Sequence, residues 1–445
     1  MLLGILNSQA SGVAIAYWLT SLGGVTDENY DAGAVDSDNN FYAVGRTNSE
    51  GAGNFDLLLA KYDELGALQW QRLLGGSSDR EFGHSVAVDS SNNIYAFGYT
   101  GSEGAGNYDQ LLAKYNSSGT LQWQRILGGS DQELARGVAI DSSDNIYVVG
   151  RTRSYGDASD HLLIVKYNSS GTIQWQKVLG DTGIDAEEAN AIAIDSSDNI
   201  YALGRASSEG AGIYDVLLVK YNTSGVVQWQ RILGKTGFDY GESVAVDSSG
   251  DIYALGYTDF GGAGDNDFLL AKYNSSGTLQ WQKLLGGTDD DRGRGVAVDS
   301  SGDIYVTGET KSDGEGNRDI LVAKYNSSGA VQWQRTLGGS SDERGYAVTV
   351  GASGALYVAG VTSSTGAGGS DGLIAKLPSD GSLTGSYELD GVNIVYAASS
   401  LTAASSTLTA ATSTLTAATS SLTAATSTLT AATGTLTYYF VEIPA

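Results

Sequence analysis

Cysteine is absent from this sequence of 445 residues, so no disulfide or thiolate metal site is available and the redox compartment stays undetermined. Basic residues are also scarce: 25 lysines and arginines stand against 51 aspartates and glutamates, a net charge of −26. Nucleic-acid phosphates require clustered lysine and arginine, so this balance argues against a nucleic-acid partner. It also disfavours an anionic membrane surface.

The amino-terminal segment lacks the charged region of a secretory signal, because no basic residue precedes Arg46. No apolar run reaches the ~18 residues of a membrane-spanning helix. We therefore expect no secretory leader and no membrane span. If the protein acts outside a cell, it has to leave by another route, and the lysis that releases virus particles is one.

What the sequence contains instead is a repeat. The stretch GTLQWQRILGG at 119–129 returns in close copies that carry every tryptophan, and successive tryptophans lie 52, 53, 52, 54, 52 and 52 residues apart. Units of this size are too small to bury a core alone, so they must pack against one another in a stacked or radial array. We assign a structural role to the seven tryptophans, which are Trp18, Trp70, Trp123, Trp175, Trp229, Trp281 and Trp333.

One clear unit, residues 295–339, predicts four antiparallel strands. GVAVD (295–299) and IYVTGET (304–310) flank an SSGD turn, and DILVAKYN (319–326) and AVQWQRTLGG (330–339) flank an SSG turn. Alternation of period two with β-branched and aromatic residues, broken by Ser/Gly/Asn turns, is typical of strands. We name these strands a, b, c and d, and together they predict one propeller blade.

Counting the strands predicts how the ring closes. The first strand d, which holds Trp18, precedes any strand a, whereas the last blade has strands a, b and c but no strand d after them. The amino-terminal strand therefore completes the seventh blade and leaves no sheet edge open. The sequence thus predicts an all-β fold: an extension at 1–13, then a seven-bladed β-propeller of four-stranded blades at 14–378.

The repeated unit D-S-S-x-[DN]-I-Y-x-x-G-x-T…D-x-L-L-A-K-Y-N-S-S-G-T-L-Q-W-Q resembles the bacterial seven-bladed β-propeller repeat known as SBBP, over roughly residues 14–378. Such repeats occur in bacterial surface proteins and in virion structural proteins of bacteriophages, including those of cyanobacteria. The resemblance implies the propeller fold. It assigns no catalytic residue, because the family motif is structural.

After a connector at 379–396, which predicts one or two strands, residues 397–436 have a period of seven. Leucine and, three places later, alanine follow the a/d spacing of a coiled coil. Three threonines or serines per heptad, however, cost about 2 kcal/mol of helix propensity and suit β structure better. We expect an ordered, trimeric stalk, either helical or β, with a disordered linker as the alternative. Residues 437–445 predict a final strand. The leucines are Leu401, Leu408, Leu415, Leu422, Leu429 and Leu436.

Several polar residues recur in every blade and are interpreted as structural. The strand-c lysines and the basic residue after each W-Q predict solvated outer positions that pair with acids. The two histidines, His84 and His161, fall at different places in the repeat, so we expect no metal site and no cofactor. Nothing resembles a nucleophile–base pair. Aspartates that open strand c are expected to accept backbone N–H groups in the preceding loop: Asp56, Asp109, Asp160, Asp215, Asp267, Asp319 and Asp371.

One face of the disc is predicted to be variable. The a–b and c–d turns are short and uniform, whereas the d–a and b–c loops differ in every blade, and recognition commonly lies on variable loops of a rigid scaffold. Neutral drift of solvated loops is the alternative. At the entry to strand a stand Asp31, His84, Arg136, Asn190, Glu242, Arg294 and Tyr346. Just after the strand-b glycine stand Arg46, Tyr99, Arg151, Arg205, Tyr257, Glu309 and Val361.

These features together predict a non-enzymatic phage virion protein, a tail fibre or related appendage located in the virion. The propeller head would recognise a host-surface glycan or another virion protein, and the stalk would join three copies. A bacterial surface adhesin is the second hypothesis. A glycan-cleaving enzyme is the third, because the sequence departs little from its repeat. The acidic loops favour a neutral glycan over a polyanion.

Overall fold

The computed structural model describes residues 17–443 apart from 52, 156–158, 181–185, 367, 407–408, 412–415, 420–422, 427–429 and 434–436. The described residues form 36 strands in seven antiparallel sheets, one for each blade of a propeller. The predicted seven-bladed fold of four-stranded blades is thereby confirmed. No helix in this part of the chain is long and apolar enough to cross a membrane. The predicted extension at 1–13 lies outside the described residues.

The strands are numbered β1 to β36 in chain order, and each blade runs from strand a at the axis to strand d outside. Strands a are β2 (Glu28–Val35), β6 (Glu81–Val88), β10 (Glu133–Ile140), β14 (Glu187–Ile194), β18 (Asp239–Val246), β22 (Asp291–Val298) and β26 (Glu343–Val350). Strands b are β3 (Phe41–Thr47), β7 (Ile94–Thr100), β11 (Ile146–Thr152), β15 (Ile200–Ala206), β19 (Ile252–Thr258), β23 (Ile304–Thr310) and β27 (Leu356–Thr362).

Strands c are β4 (Asp56–Tyr62), β8 (Asp109–Tyr115), β12 (His161–Tyr167), β16 (Asp215–Tyr221), β20 (Asp267–Tyr273), β24 (Asp319–Tyr325) and β28 (Asp371–Leu377). Strands d are β5 (Leu68–Gly75), β9 (Leu121–Gly128), β13 (Ile173–Gly180), β17 (Val227–Gly234), β21 (Leu279–Gly286), β25 (Val331–Gly338) and, for the seventh blade, β1 (Tyr17–Gly23). Blades 1 to 7 are counted from β2.

The core lies between neighbouring sheets. Strands b and c are buried on both faces, which is why their sequences read as nearly continuous apolar runs. Between blades 1 and 2, for example, Val44 and Leu57 of blade 1 pack in one cluster with Ile94 and Leu111 of blade 2. Each blade therefore buries its faces only because it has two neighbours.

The ring closes through the amino-terminal strand, as the sequence predicts. β1 pairs antiparallel with β28, with Trp18 opposite Lys376, and the Trp18 side chain is fully buried. The seventh blade thus joins strands from both ends of the propeller sequence. Closure is non-covalent, and the missing strand d is supplied from more than 300 residues away.

The strand-d tryptophans connect each blade to the next. The Trp70 indole Nε1 donates a hydrogen bond to the Ser117 carbonyl oxygen at 3.3 Å, in the c–d turn of blade 2. In the same turn Gly119 has a φ of 75°, and a β-carbon there would lie 2.8 Å from Trp70 Cδ2. The turn therefore rests against the indole without a side chain between them. Equivalent indole-to-turn bonds are made by Trp18, Trp175, Trp229, Trp281 and Trp333.

The sequence suggested that the repeated basic residues are solvated, but in the structure they also contact other parts of the protein. Arg72 stacks on the Trp70 ring and donates from Nε to the Gly119 carbonyl oxygen at 2.7 Å. Lys114 lies over the Tyr95 ring and pairs with Asp89, and its ammonium is 3.5 Å from the Ser169 carbonyl oxygen of the next blade. These positions pair with acids as expected, but they also bind backbone carbonyls across the blade boundary.

The structure does not show the predicted stalk. Residues 379–396 contribute β29 (Gly385–Leu389) and part of β30 (Val392–Ala398), a hairpin whose second strand pairs with β25 of blade 6. The strands that follow pair with the outer edges of blades 5, 4, 3, 2, 1 and 7, in that order. They are β31 (Thr402–Ser405), β32 (Thr409–Ala411), β33 (Thr416–Thr419), β34 (Thr423–Thr426), β35 (Thr430–Thr433) and β36 (Thr437–Ile443). We call residues 392–443 the tail.

The period of seven in the tail matches one blade per heptad. Thr416 pairs with Gly180 of blade 3 and Thr423 with Gly128 of blade 2, so seven residues move the chain by one blade. Leu401 is buried in the core cluster between blades 5 and 6. The leucine spacing that resembled a coiled coil therefore belongs, at this first heptad, to an edge strand. A trimer formed through residues 397–436 stays a prediction.

The turn–indole contact is tested with two alanine variants that share the same backbone conformation. Gly119 and Gly302 have φ values of 75° and 81°, but a β-carbon at 302 meets nothing within 4 Å. In both variants the left-handed conformation of alanine should lower the free energy of unfolding by roughly 1–2 kcal/mol. Gly119→Ala should lose a further ~1–3 kcal/mol because the methyl group overlaps Trp70. Chemical denaturation measures both losses, and equal losses would show that the contact adds nothing.

The tail is tested by removing residues 399–445, which deletes the outer strands of six blades. Because strands d would then present unpaired backbone edges, we expect a lower melting temperature and aggregation. Thermal melting and light scattering of both chains measure the outcome. A full chain that is trimeric, with a truncated chain that is monomeric and equally stable, would instead support the stalk.

Candidate binding site at the channel mouth

Every strand a contains a β-bulge at its variable position. In blade 1 the pairing register between β2 and β3 shifts between Tyr30 and Ala32, so Asp31 has no partner residue on strand b. The same shift occurs in all seven blades, and a bulge commonly re-aims the side chain of its extra residue. We call these extra residues the bulge residues: Asp31, His84, Arg136, Asn190, Glu242, Arg294 and Tyr346.

The strand-b glycine makes each bulge possible. A β-carbon at Gly45 would overlap the backbone oxygen of Asn29, and one at Gly98 would overlap that of Phe82. The bulged backbone thus comes closer than any side chain permits. This glycine, present in all seven copies of I/F/L-Y-x-x-G, is the sequence signal that could have predicted the bulges.

The seven bulge residues line one cavity of about 480 Å³ at the centre of the ring, which we call the channel mouth. Of the predicted strand-b residues, Arg205 and Tyr257 also line it. Arg46 and Val361 line a second cavity of about 310 Å³ between blades 7 and 1, together with Tyr346. The structure therefore brings one predicted set together completely and divides the other.

The remaining strand-b residues stand behind the bulge residues. The ring centroids of Tyr99 and His84 lie 5.2 Å apart. Arg151 forms an ion pair with Asp160 at 2.8 Å, and Glu309 forms one with Arg294 at 3.1 Å. These side chains support or neutralise the channel mouth rather than line it.

Sequence reasoning missed Glu188 and Tyr240, which line the channel mouth, and Arg344, which lines the second cavity. Each lies on strand a two residues before a bulge residue. Because side chains two apart in a strand share a face, the alternation of strand a could have identified them.

On the blade 4–6 side of the mouth both arginines have carboxylate partners, although Arg205 Nε and Arg294 Nε themselves have no hydrogen-bond partner among the described residues. Arg294 bridges Glu242 at 3.2 Å and Glu309 at 3.1 Å. The Asn190 side-chain amide donates to the Gly241 carbonyl oxygen at 2.9 Å, and Arg205 pairs with Glu188 at 3.0 Å. Burial alone would lower the pKa of Arg294, but Glu242 and Glu309 outweigh it and raise the pKa, so this side chain stays charged.

The blade 1–3 side differs. Asp31 Oδ2, His84 Nε2 and Arg136 Nε are buried and have no hydrogen-bond partner among the described residues. Asp31 Oδ1 accepts from Asn29, but Oδ2 lies 3.7 Å from His84 Nδ1, which is too long for a hydrogen bond. Three polar atoms without a partner, on adjacent blades, therefore belong to side chains that line one cavity.

Burial controls the charge of these groups. It raises the pKa of Asp31 to about 6, against the opposing effect of Arg46 and Arg136. Burial also lowers the pKa of His84 well below its usual value, and the same two arginines lower it further. His84 is consequently neutral near pH 7, and its contact with Asp31 is not an ion pair.

The strand-c aspartates serve mainly as loop acceptors. Asp215 and Asp319 each accept the backbone N–H of the glycine three residues earlier, at 3.0 Å. Blade 3 differs from the prediction, because His161 rather than Asp160 opens strand c there. Asp160 instead binds Arg151 and Arg153, at 2.8 and 2.6 Å. Within the described ranges no cluster of three or more histidine, cysteine, aspartate or glutamate residues could hold a metal ion.

Three segments of the chain match the SBBP family, described as a beta-propeller repeat: residues 69–104, 122–156 and 280–315. These segments carry the repeat that the sequence resemblance implied. The match concerns the fold, and the resemblance to virion proteins stays a prediction.

Two curated proteins are similar to parts of the chain. The regulatory protein FlaEY of Caulobacter vibrioides is 27% identical over 212 residues, which cover 38% of this chain and 22% of that protein. An uncharacterized WD repeat-containing protein of Acanthamoeba polyphaga mimivirus is 23% identical over 305 residues, 63% of this chain and 17% of the other. The chain thus spans about a fifth of the length of these relatives.

Among solved structures, the polysaccharide lyase Uly1 is similar with a TM-score of 0.48 and 10% identity, covering 82% of this chain and 98% of that one. A likeness at this level carries no argument about activity.

The buried aspartates predict an acid-stabilised fold. Burial raises the pKa values of Asp109, Asp239, Asp267 and Asp319 to about 6. A carboxyl whose pKa is higher in the folded than in the unfolded chain contributes stability that is present below about pH 4 and lost as the pH rises through 6. We therefore expect a higher melting temperature at pH 5 than at pH 7.5, because these four carboxyls outnumber His84, whose lowered pKa acts in the opposite direction in this range.

The matched variant is Asp109→Asn with Asp319→Asn, which removes two of these titrating groups and should flatten the pH dependence. Asp89 does not oppose the effect in this window, because hydrogen bonds from Asn93 outweigh burial and lower its pKa. A melting temperature that rises from pH 5 to pH 7.5 would contradict the assignment.

Proposed function

We propose that this chain is a non-enzymatic recognition protein whose ligand binds at the channel mouth. One observation carries the proposal: a scaffold that repeats itself seven times places seven side chains of six different types around one cavity. The cavity, at about 480 Å³, lies within the ~300–1,000 Å³ range of small-molecule sites. The residues that repeat in every blade hold the blades together. The bulge residues are not paired across the strands, so they can differ from blade to blade.

The setting that we propose is a phage virion, in which the propeller is a tail fibre or related appendage. This setting rests on the resemblance of the repeat to virion structural proteins. The ligand would be a host-surface glycan or a neighbouring virion protein, and residues 397–436 would be the segment through which three copies associate. A bacterial surface adhesin would use the same cavity.

A glycan-cleaving activity is the second candidate. Asp31, with a pKa of about 6, shares the channel mouth with His84 and Tyr346, and titratable groups with shifted pKa values in a cleft are typical of catalytic sites. Depolymerase assays on host polysaccharide, with Asp31→Asn as the control, separate cleavage from binding.

Recognition is tested with the double variant Arg136→Ala and Tyr346→Ala. Both are half-buried bulge residues outside the ladder pairing, so folding should change little, by about 0.5–1 kcal/mol each. Binding to whole host cells, or incorporation into purified particles, should fall.

The control is Ser117→Ala with Ser275→Ala, two exposed residues in the uniform c–d turns. Loss of binding in the control variant, with normal binding in the channel variant, would mean that the function lies on the opposite face.

A further inference from the structure

The two sides of the channel mouth differ in whether their arginines have carboxylate partners within the protein. On the blade 4–6 side Arg294 has two carboxylate partners, and Asn190 has a carbonyl partner. On the blade 1–3 side the orphaned atoms include one from an arginine, one from a carboxylate and one from a histidine. Atoms without a partner also occur on the blade 4–6 side, at Arg205 Nε and Arg294 Nε, but those two guanidinium groups already bind carboxylates. Arg136 binds none in the described part of the chain, so an anionic group of a ligand belongs on the blade 1–3 side.

Arg136 defines one part of that ligand. It forms no ion pair with any described carboxylate, although the chain as a whole has a net charge of −26. An arginine guanidinium binds a carboxylate or a phosphate through paired N–H donors. An unpaired arginine in a cavity of an acidic protein thus indicates an anionic group on the ligand.

Asp31 and His84 define the other part. The Asp31 carboxylate accepts hydrogen bonds, and neutral His84 has one donor and one acceptor nitrogen; both side chains are partly exposed in the cavity. A ligand hydroxyl can donate to the carboxylate and bond to the imidazole. A doubly charged phosphate beside Asp31 would be repelled, so a singly charged carboxylate is the better match for Arg136. Carboxylate and hydroxyl groups on one small ring are the chemistry of a uronic acid.

We propose that the blade 1–3 side of the channel mouth binds an acidic sugar residue, with Arg136 on the carboxylate and Asp31 and His84 on the hydroxyls. This rests on the proposed recognition function and specifies its ligand class. It replaces the neutral glycan expected from the acidic loops, because those loops act over the surface whereas Arg136 acts inside the cavity.

Binding should depend on pH. The charged and titratable groups that act on Asp31 are Arg46 of β3, His84 of β6, Tyr99 of β7, Arg136 of β10 and Tyr346 of β26. As the pH falls from 7.5 to 5.5, Asp31 takes up a proton and no longer repels the ligand carboxylate, whereas the ligand itself stays ionised. Affinity for an acidic sugar should therefore rise.

The experiment uses the full chain and three probes: sodium D-glucuronate, D-glucose and sodium acetate, with affinities measured by NMR titration. We expect glucuronate to bind at least about tenfold more tightly than either of the others, since only glucuronate satisfies both parts of the site. Arg136→Gln should lower glucuronate affinity by about tenfold or more. The matched control Arg80→Gln changes an arginine with a 46% exposed side chain outside the cavity and should leave the affinity unchanged.

The outcomes separate the two proposals. Equal binding of glucose and glucuronate, abolished by a channel variant, would overturn the acidic-sugar inference and leave recognition at the channel mouth intact. Equal binding of acetate and glucuronate would show a simple anion site and overturn it too. Binding of neither sugar, or glucuronate binding that survives Arg136→Gln, also overturns it. Thermal melting of each variant shows whether a loss comes from unfolding.

Discussion

The contact between each strand-d tryptophan and the glycine turn of the next blade is the constraint on which the rest depends. A single blade exposes apolar residues on both faces of strands b and c, so it has no stable form without neighbours. The indole sets how closely the next turn approaches, and the stacked arginine binds that turn's carbonyl group. Because the same geometry recurs around the ring, the angle between blades is uniform. At the closing blade Thr20 stands where the others have arginine or lysine. Buried Lys376 binds the Glu64 carbonyl oxygen there, much as Lys114 binds that of Ser169.

The channel mouth follows from that regularity. A ring with uniform blade angles brings seven equivalent backbone positions to one axis, and the bulge gives each of them a side chain without a role in pairing. In each strand a, therefore, the residues that stabilise the core differ from the bulge residue that lines the cavity. Val138 of strand a packs in the core, whereas Arg136, two residues earlier, lines the cavity.

Much of the fold could be predicted because its signals are local. Tryptophan spacing, alternation and turn residues gave the strand count, and the count gave closure through Trp18. The position of the bulge residues was also predicted, but not the bulge itself, since it depends on how the Gly45 backbone meets Asn29 across the sheet. The tail could not be predicted for a similar reason. Its period of seven fits a coiled coil as well as an edge strand. The edges that receive the tail belong to residues up to 426 positions away in sequence, as for Ile443 and Tyr17.

The tail also has a consequence for how such a chain can change in length. Each blade takes about 52 residues of the propeller and one further strand from the tail, which advances by one blade every seven residues. A duplication that inserted a blade would leave one outer edge bare unless a heptad were added as well. Loss of a blade would leave one heptad with nothing to pair with. The number of blades is thus encoded twice, in two repeats of different length, and the two can change only in step.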